Sequence, residues 1–222
     1  MRVHHIPVRR NIQVELPEAF VASLPAVFAL ATTAQFRDQI PAIEAMLTAA
    51  GKQVTLYKHR HTFHAGQILG CSTEQVEEPA VLYIGEGLFH PQALAYANEI
   101  PVYTWDPVTK QPGQIDRTAI DRRRKRREAG IKTFYMVRRI GVLLSTKSGQ
   151  KDENAVKRLR EEFPDKQFYV FLGNTLGIEG LEDFPFVEVW LNTACPRIGY
   201  DDIEKTEKPL INAEDVLSKH RF

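Results

Sequence analysis

Phe186-Val187-Glu188-Val189-Trp190-Leu191-Asn192-Thr193-Ala194-Cys195-Pro196-Arg197, followed by Ile198-Gly199-Tyr200-Asp201-Asp202, decides how this chain is read. Val187, Val189, Trp190 and Leu191 are β-formers in an apolar run, the pattern of a buried strand. The strand stops at small residues and a Cys-Pro pair, because proline has no backbone N–H and a fixed φ. Cys195 is therefore delivered at the carboxyl end of a strand, the edge where open parallel α/β sheets bind ligands. Arg197 stands two residues further on, close enough to hold an anionic group beside the thiol. A buried thiol acting as a small hydrophobe is the plainer alternative.

Upstream, the same alternation of strand and helix repeats. Ile140-Gly141-Val142-Leu143-Leu144-Ser145 reads as a strand and Thr146-Lys147-Ser148-Gly149-Gln150 as a turn. A helix follows from Asp152 to Phe163, with Ala155, Val156, Leu159 and Phe163 on one face. Gln167–Leu172 is the next strand, and Asn174–Asp183 is loop or a short helix. After Asp202, Lys208–Ile211 gives a last short strand, and Asn212 is expected to cap a helix from Ala213 to Lys219.

The first half follows the same plan. Ala26–Thr33 is a continuous apolar run, as for a strand covered on both faces. A helix from about Phe36 to Ala50 ends at Gly51, and Gln53–Tyr57 is the next strand. The β-α-β order implies a right-handed crossover and a parallel sheet. Ala80–Ile84 is a third strand, ending in Gly85-Glu86-Gly87 before a helix near Pro91. Glycines at such a turn let backbone N–H groups approach an anion. Pro101–Trp105 is a fourth strand, and Asp106-Pro107 and Gln111-Pro112-Gly113 read as closing turns. Residues 1–25, with Pro7, Pro17 and Pro25, read as an extended arm.

The predicted fold class is α/β: two similar three-layer α/β/α units with mostly parallel sheets, related by a structural repeat. The expected division is an arm at 1–25, a first unit at 26–115, a connecting basic helix at 116–137 and a second unit at 138–222. That helix contains Arg122-Arg123-Arg124-Lys125-Arg126-Arg127. A solvated face is the default reading, and docking on an acidic or phosphate-rich partner is the sharper one.

With 222 residues the chain can bury roughly 70% of its unfolded surface. Its net charge of +1 predicts no nucleic-acid partner outside the basic helix. It has no apolar run of membrane-spanning length, and its first residues lack a signal-peptide core, so a cytoplasmic location is expected. Two cysteines do not make a disulfide scaffold. His59, His61 and His64 fit no common zinc spacing and lie beside Lys58 and Arg60, so they read as solvated loop residues. Cys71 and Cys195, one near a strand end in each unit, suggest thiols facing a cleft between the units. They could be soft metal ligands, structural thiols or a redox pair. No Cys-x-x-Cys is present, and two thiolates alone do not complete a cluster site.

Four motifs occur in order: Ile68-Leu69-Gly70-Cys71-Ser72; Tyr83-Ile84-Gly85-Glu86-Gly87-Leu88-Phe89-His90-Pro91; Ser145-Thr146-Lys147-Ser148-Gly149-Gln150; and Ala194-Cys195-Pro196-Arg197 with Asp201-Asp202 and Lys208-Pro209-Leu210. Together they resemble the diphthamide synthase family over about residues 26–217. The resemblance implies a fold of three α/β domains, each giving one cysteine to a [4Fe-4S] cluster. It further implies S-adenosylmethionine as second cofactor, cleaved to a 3-amino-3-carboxypropyl radical that is added to a histidine of elongation factor 2. This chain resembles the second and third domains only. Cys71 and Cys195 match the metal ligands of those domains, and the first domain with its cysteine has no counterpart.

The cofactor-binding residues assigned on this basis are Gly85, Gly87, His90, Thr146, Gly149, Gln150 and Arg197. Glu86 stands where the family often has Asp. The expected partners are a separately encoded first domain or second subunit, elongation factor 2 as substrate, and a dimer. The alternatives are a non-catalytic subunit or divergent binding protein with the same fold, and a radical enzyme with another substrate.

Overall fold

β1 (Val27–Thr32) is apolar on both faces because both faces are covered. The computed structural model describes residues 6, 8–59, 62, 64–71, 74–147, 149–150 and 152–217. Two compact units emerge, one of His4–Ile120 and one mainly of Asp121–Phe222.

In the N-terminal unit, α1 (Glu18–Ser23) precedes β1, so the arm expected to be extended contains a helix. Val14, Leu16, Phe20, Val21 and Leu24 are buried in the unit's core, which is what fixes that segment in place. α2 (Ile40–Ala49) takes Pro41 in its first turn, where no N–H is needed, and buries Ile40, Ile43 and Leu47. It ends in a Schellman motif. Gly51 adopts φ +78°, its N–H donates to Thr48 O (2.9 Å), and Lys52 N–H donates to Leu47 O (3.0 Å).

β2 (Gln53–Leu56), β3 (Val81–Ile84), α3 (Phe89–Ala97), β4 (Val102–Asp106) and β5 (Gln111–Gln114) complete the unit. The sheet order is β2-β1-β3-β4-β5, parallel except for β5. The expected closing turn at Gln111-Pro112-Gly113 is thus an antiparallel edge strand. The Asp106 carboxylate accepts from Val108 N–H (2.8 Å) and Thr109 N–H (3.2 Å), turning the chain back on itself. Pro112 is tolerated because β5 is an edge.

In the C-terminal unit, α4 (Arg117–Met136), which begins just before Asp121, leads into β6 (Arg139–Ser145). α5 (Glu153–Glu162) is capped by the Asp152 carboxylate, which accepts from Ala155 N–H at 3.0 Å. β7 (Gln167–Gly173), β8 (Val189–Asn192), α6 (Pro196–Asp201), β9 (Leu210–Asn212) and α7 (Glu214–Leu217) follow. The sheet order is β7-β6-β8-β9, all parallel. One face packs Ile140, Val142, Val189 and Leu191 against α4, α5 and α7. The other packs Leu143, Trp190 and Leu210 against a 3-10 turn at Glu179–Asp183. Each large side chain buried in this way contributes about 1.5–3 kcal/mol.

The strand orders β2-β1-β3-β4 and β7-β6-β8-β9 are the same. In each unit the chain winds outward from the first strand in one direction and from the third in the other. The topological switch falls between β1 and β3 in one unit and between β6 and β8 in the other. Ligands of such sheets bind at the carboxyl ends of the strands at that switch.

The arginine run is mostly paired within its own unit. Arg122 and Arg123 grip Glu204 (2.6 and 2.9 Å). Arg124 meets Asp121 at 3.4 Å and Arg127 meets Asp215 at 3.1 Å. Arg126 donates to the Thr206 carbonyl. The solvated-face reading holds for Arg122 and Lys125, which are exposed, while the half-buried arginines find partners within the unit itself.

Candidate functional site

In the N-terminal unit, a single parallel bridge sets the position of Cys71. Thr32, the last residue of β1, donates its N–H to Gly66 O (2.7 Å) and accepts from Ile68 N–H (2.8 Å). The chain continues past the end of β1 to Gly70 and the half-buried Cys71. Gly70 lies against the ring of Phe89, so closely that a Cβ there would overlap it. Phe89 opens α3, so the Cys71 loop and the Gly85–His90 turn share one edge of the sheet.

In that turn Gly87 has φ +67°, which favours glycine, and a side chain on Gly85 would run into the Tyr83 hydroxyl. His90 stacks on Tyr83 (ring centroids 6.3 Å apart) and meets Phe89 edge-on. Burial, reinforced by the charges of Asp106 and Glu86, pushes the Tyr83 hydroxyl up, keeping it neutral. The carboxylate of Glu86 pairs with Arg10 at 3.2 Å.

One expectation in this loop is corrected. His59 is buried, with Nε2 3.1 Å from Glu74 Oε2, rather than solvated. Arg60, His61, Phe63 and Ser72 lie outside the described residues.

In the C-terminal unit, Cys195 lies three residues past the end of β8 and occupies the N-cap position of α6, half-buried. Thr193 ties this turn to β6: its N–H (3.0 Å) and hydroxyl (2.8 Å) both donate to Leu143 O. The Thr146–Gln150 turn leaves the adjacent β6, so Thr146, Gly149, Gln150 and Cys195 share one sheet edge. Thr146 N–H donates to Gly173 O (3.0 Å), and Gly149 adopts φ +78°. Ser148 lies outside the described residues.

Arg197 is buried and bound at two points to Asp201, through Nε at 2.8 Å and Nη2 at 3.1 Å. This geometry ties its planar guanidinium to the carboxylate one helical turn on.

Two residues of this edge escaped the sequence reading. Asn192 ends β8 and Asn212 ends β9, in direct register. Asn192 Nδ2 donates to Asn212 Oδ1 (2.7 Å) and to Cys195 O (2.9 Å), and its Oδ1 accepts from Ala194 N–H (3.0 Å). Asn212 Nδ2 donates to Pro196 O at 3.0 Å. The side chain expected to cap the last helix thus serves the cysteine turn instead. An asparagine closing each of two neighbouring strands was the available signal.

Among the described residues no group of three His, Cys, Asp or Glu side chains could hold a metal ion, and neither cysteine is in a disulfide. The donor chemistry is thus one soft thiol at the carboxyl edge of each sheet, suited to a thiolate-bound centre and unsuited to a mononuclear hard-cation site.

Two mostly parallel α/β sheets, each with a glycine-bearing turn and a cysteine at its ligand-binding edge, define the class of protein. The chain belongs to the family whose model is described as "Putative diphthamide synthesis protein", which matches residues 1–217. It is 32% identical to the 2-(3-amino-3-carboxypropyl)histidine synthase of Pyrococcus horikoshii over 192 residues, 83% of this chain and 54% of that protein. It is 31% identical to the synthase of the same name from Methanocaldococcus jannaschii, over 69% of this chain and 46% of that one. The crystal structure of Dph2 from Pyrococcus horikoshii with a 4Fe-4S cluster superposes with a TM-score of 0.72 at 29% identity. That match covers 90% of this chain and 60% of Dph2. The chain spans about half the length of the curated relatives it matches. No helix of the described residues is long and apolar enough to cross a membrane.

Proposed function

We propose that this chain takes part in diphthamide synthesis as an iron–sulfur protein, with Cys71 and Cys195 as thiolate ligands of a [4Fe-4S] cluster. The observation that carries this reading is the placement of each cysteine, outside any disulfide, at the carboxyl edge of its sheet, in a family whose Dph2 member crystallised with such a cluster. When bound, the cluster supplies the electron that cleaves S-adenosylmethionine, so that a 3-amino-3-carboxypropyl group reaches a histidine of elongation factor 2.

The chain's own contribution is to bind and orient. The backbone of the Gly85–Gly87 turn, with His90 held between Tyr83 and Phe89, offers a platform beside Cys71. Thr146, Gly149 and Gln150 offer polar contacts beside Cys195, and Arg197 holds the first turn of α6 through Asp201. A further cluster ligand comes from outside these residues, from a first domain or a second subunit, in a cytoplasmic assembly.

Anaerobic reconstitution with iron and sulfide, with Cys71→Ala and Cys195→Ala alongside, tests the ligand assignment. Each variant should lose most of the bound iron, and unchanged iron in either removes that residue from the set. One second reading is a non-catalytic subunit that supports a catalytic partner. A chain that binds such a partner yet takes up no cluster beside it would establish that role.

A further inference from the structure

We propose that the Asn192–Asn212 amide pair is the positioning device for Cys195, holding the backbone on both sides of the sulfur so that the thiolate is presented from one fixed turn. The inference deepens the cluster reading and rests on it for its purpose, though not for its geometry.

The two asparagines are 2% and 5% exposed, so their polar groups need partners inside the protein. They find them around the cysteine. Ala194 N–H, Cys195 O and Pro196 O, the backbone atoms flanking the sulfur, all bond to this pair. Ile198 N–H adds a second bond to Cys195 O at 3.0 Å.

The amide orientation of Asn192 is dictated by its neighbours. Its Nδ2 faces two acceptors and its Oδ1 faces a donor, so a flipped amide would set oxygen against oxygen twice. Gly199 makes room for the pair, since a side chain there would strike the Asn212 amide. The pair is braced from behind as well. Asn212 N–H donates to Asp215 Oδ2 (3.0 Å), and Asp215 pairs with Arg127, which lies over the Tyr200 ring at 5.4 Å. The two amides form a buried, mutually bonded pair, the kind of contact that rigidifies what it touches.

Asn192→Asp tests this with almost no change in volume, because a carboxylate cannot donate to Cys195 O or to Asn212 Oδ1. In a Cys71→Ala background, where Cys195 is the remaining thiol, the apo chain is alkylated with iodoacetamide. Asn192→Asp and Asn192→Ala should each speed alkylation by about fivefold or more, the scale of one lost buried hydrogen bond. With both cysteines restored, reconstituted Asn192→Asp should show a shifted electron paramagnetic resonance spectrum of the reduced cluster. Thermal melts confirm that each variant folds, and Asn212→Ala provides the same readings should Asn192→Asp not fold.

Wild-type alkylation rates in the folded variants would overturn the proposal, as would an unaltered spectrum in reconstituted Asn192→Asp. A wild-type chain that takes up no cluster refutes the functional reading instead, and the alkylation rates then decide the positioning role by themselves.

Discussion

Arg127 and Asp215 meet at 3.1 Å in the C-terminal unit, with the Asp215 side chain 6% exposed. Burial pushes the Asp215 carboxyl above its ordinary value of 3.8, against the pull of Arg127. Removing the cation leaves a buried carboxylate without its counter-charge, so Arg127→Met should cost about 3 kcal/mol at neutral pH, the low end for a broken buried pair. A raised folded-state pKa favours the folded form most below the unfolded value, and that advantage fades as pH rises through the folded value. The Arg127→Met deficit should therefore shrink on acidification. Denaturant melts at pH 7 and pH 4.5 check it, and an equal or larger deficit at pH 4.5 contradicts it.

Glu204 behaves with the opposite sign. Hydrogen bonds from Arg122 and then Arg123 hold its carboxyl below the ordinary 4.5. Its contribution is present above that pH and lost as pH falls through the depressed folded value. The group is half-buried at the surface, so the effect is about 0.2–1 kcal/mol and is weakened by salt. Wild type should lose more stability than Glu204→Gln between pH 6 and pH 3, as measured by thermal melts. Parallel losses would show that the carboxylate is not coupled to the helix.

Gly130 sits inside α4, where alanine is normally preferred by about 1 kcal/mol. A Cβ at this position would come within 2.8 Å of Ile211 Cγ2 and 3.2 Å of Pro209 Cβ. Both neighbours are stiff, so overpacking should outweigh propensity. Gly130→Ala is expected to lower the melting temperature, and a higher one would mean that the helix can move away from β9.

Gly87 is a different kind of glycine. Nothing lies within 4 Å of its missing Cβ, but its φ is +67°. Gly87→Ala should cost about 1–2 kcal/mol from backbone strain alone. Gly87→Asn should cost less, because asparagine tolerates that region. Equal destabilisation by both substitutions would point to a lost contact instead.

Local patterns made most of the architecture legible. The apolar run at Val27–Thr32 and the Gly51 stop identify β1 and the end of α2, and Cys-Pro ends β8 just beyond Asn192. What depends on distant partners was not legible. α1 hides among prolines because its helix is held by burial of Phe20 and Val21 rather than by propensity. β5 resembles a turn because Gln-Pro-Gly-Gln has no β preference, and only pairing with β4 makes it a strand. At the candidate site the thiols and glycines could be found by motif. The Asn192–Asn212 contact could not, since it needs the register of two strands 20 residues apart. The sequence places Arg197 within reach of an anion beside Cys195, and its pairing with Asp201 becomes visible only once α6 forms.

The internal pairing of the arginine run bears on how this polypeptide behaves before it is folded. Charges that Glu204, Asp121, Asp215 and the Thr206 carbonyl engage in the finished protein stand together, uncovered, on a nascent or denatured chain. Such a stretch adsorbs to ribosomal RNA or any other polyanion in its surroundings. Retention on heparin should thus rise with urea, reporting loss of the native state rather than a native affinity.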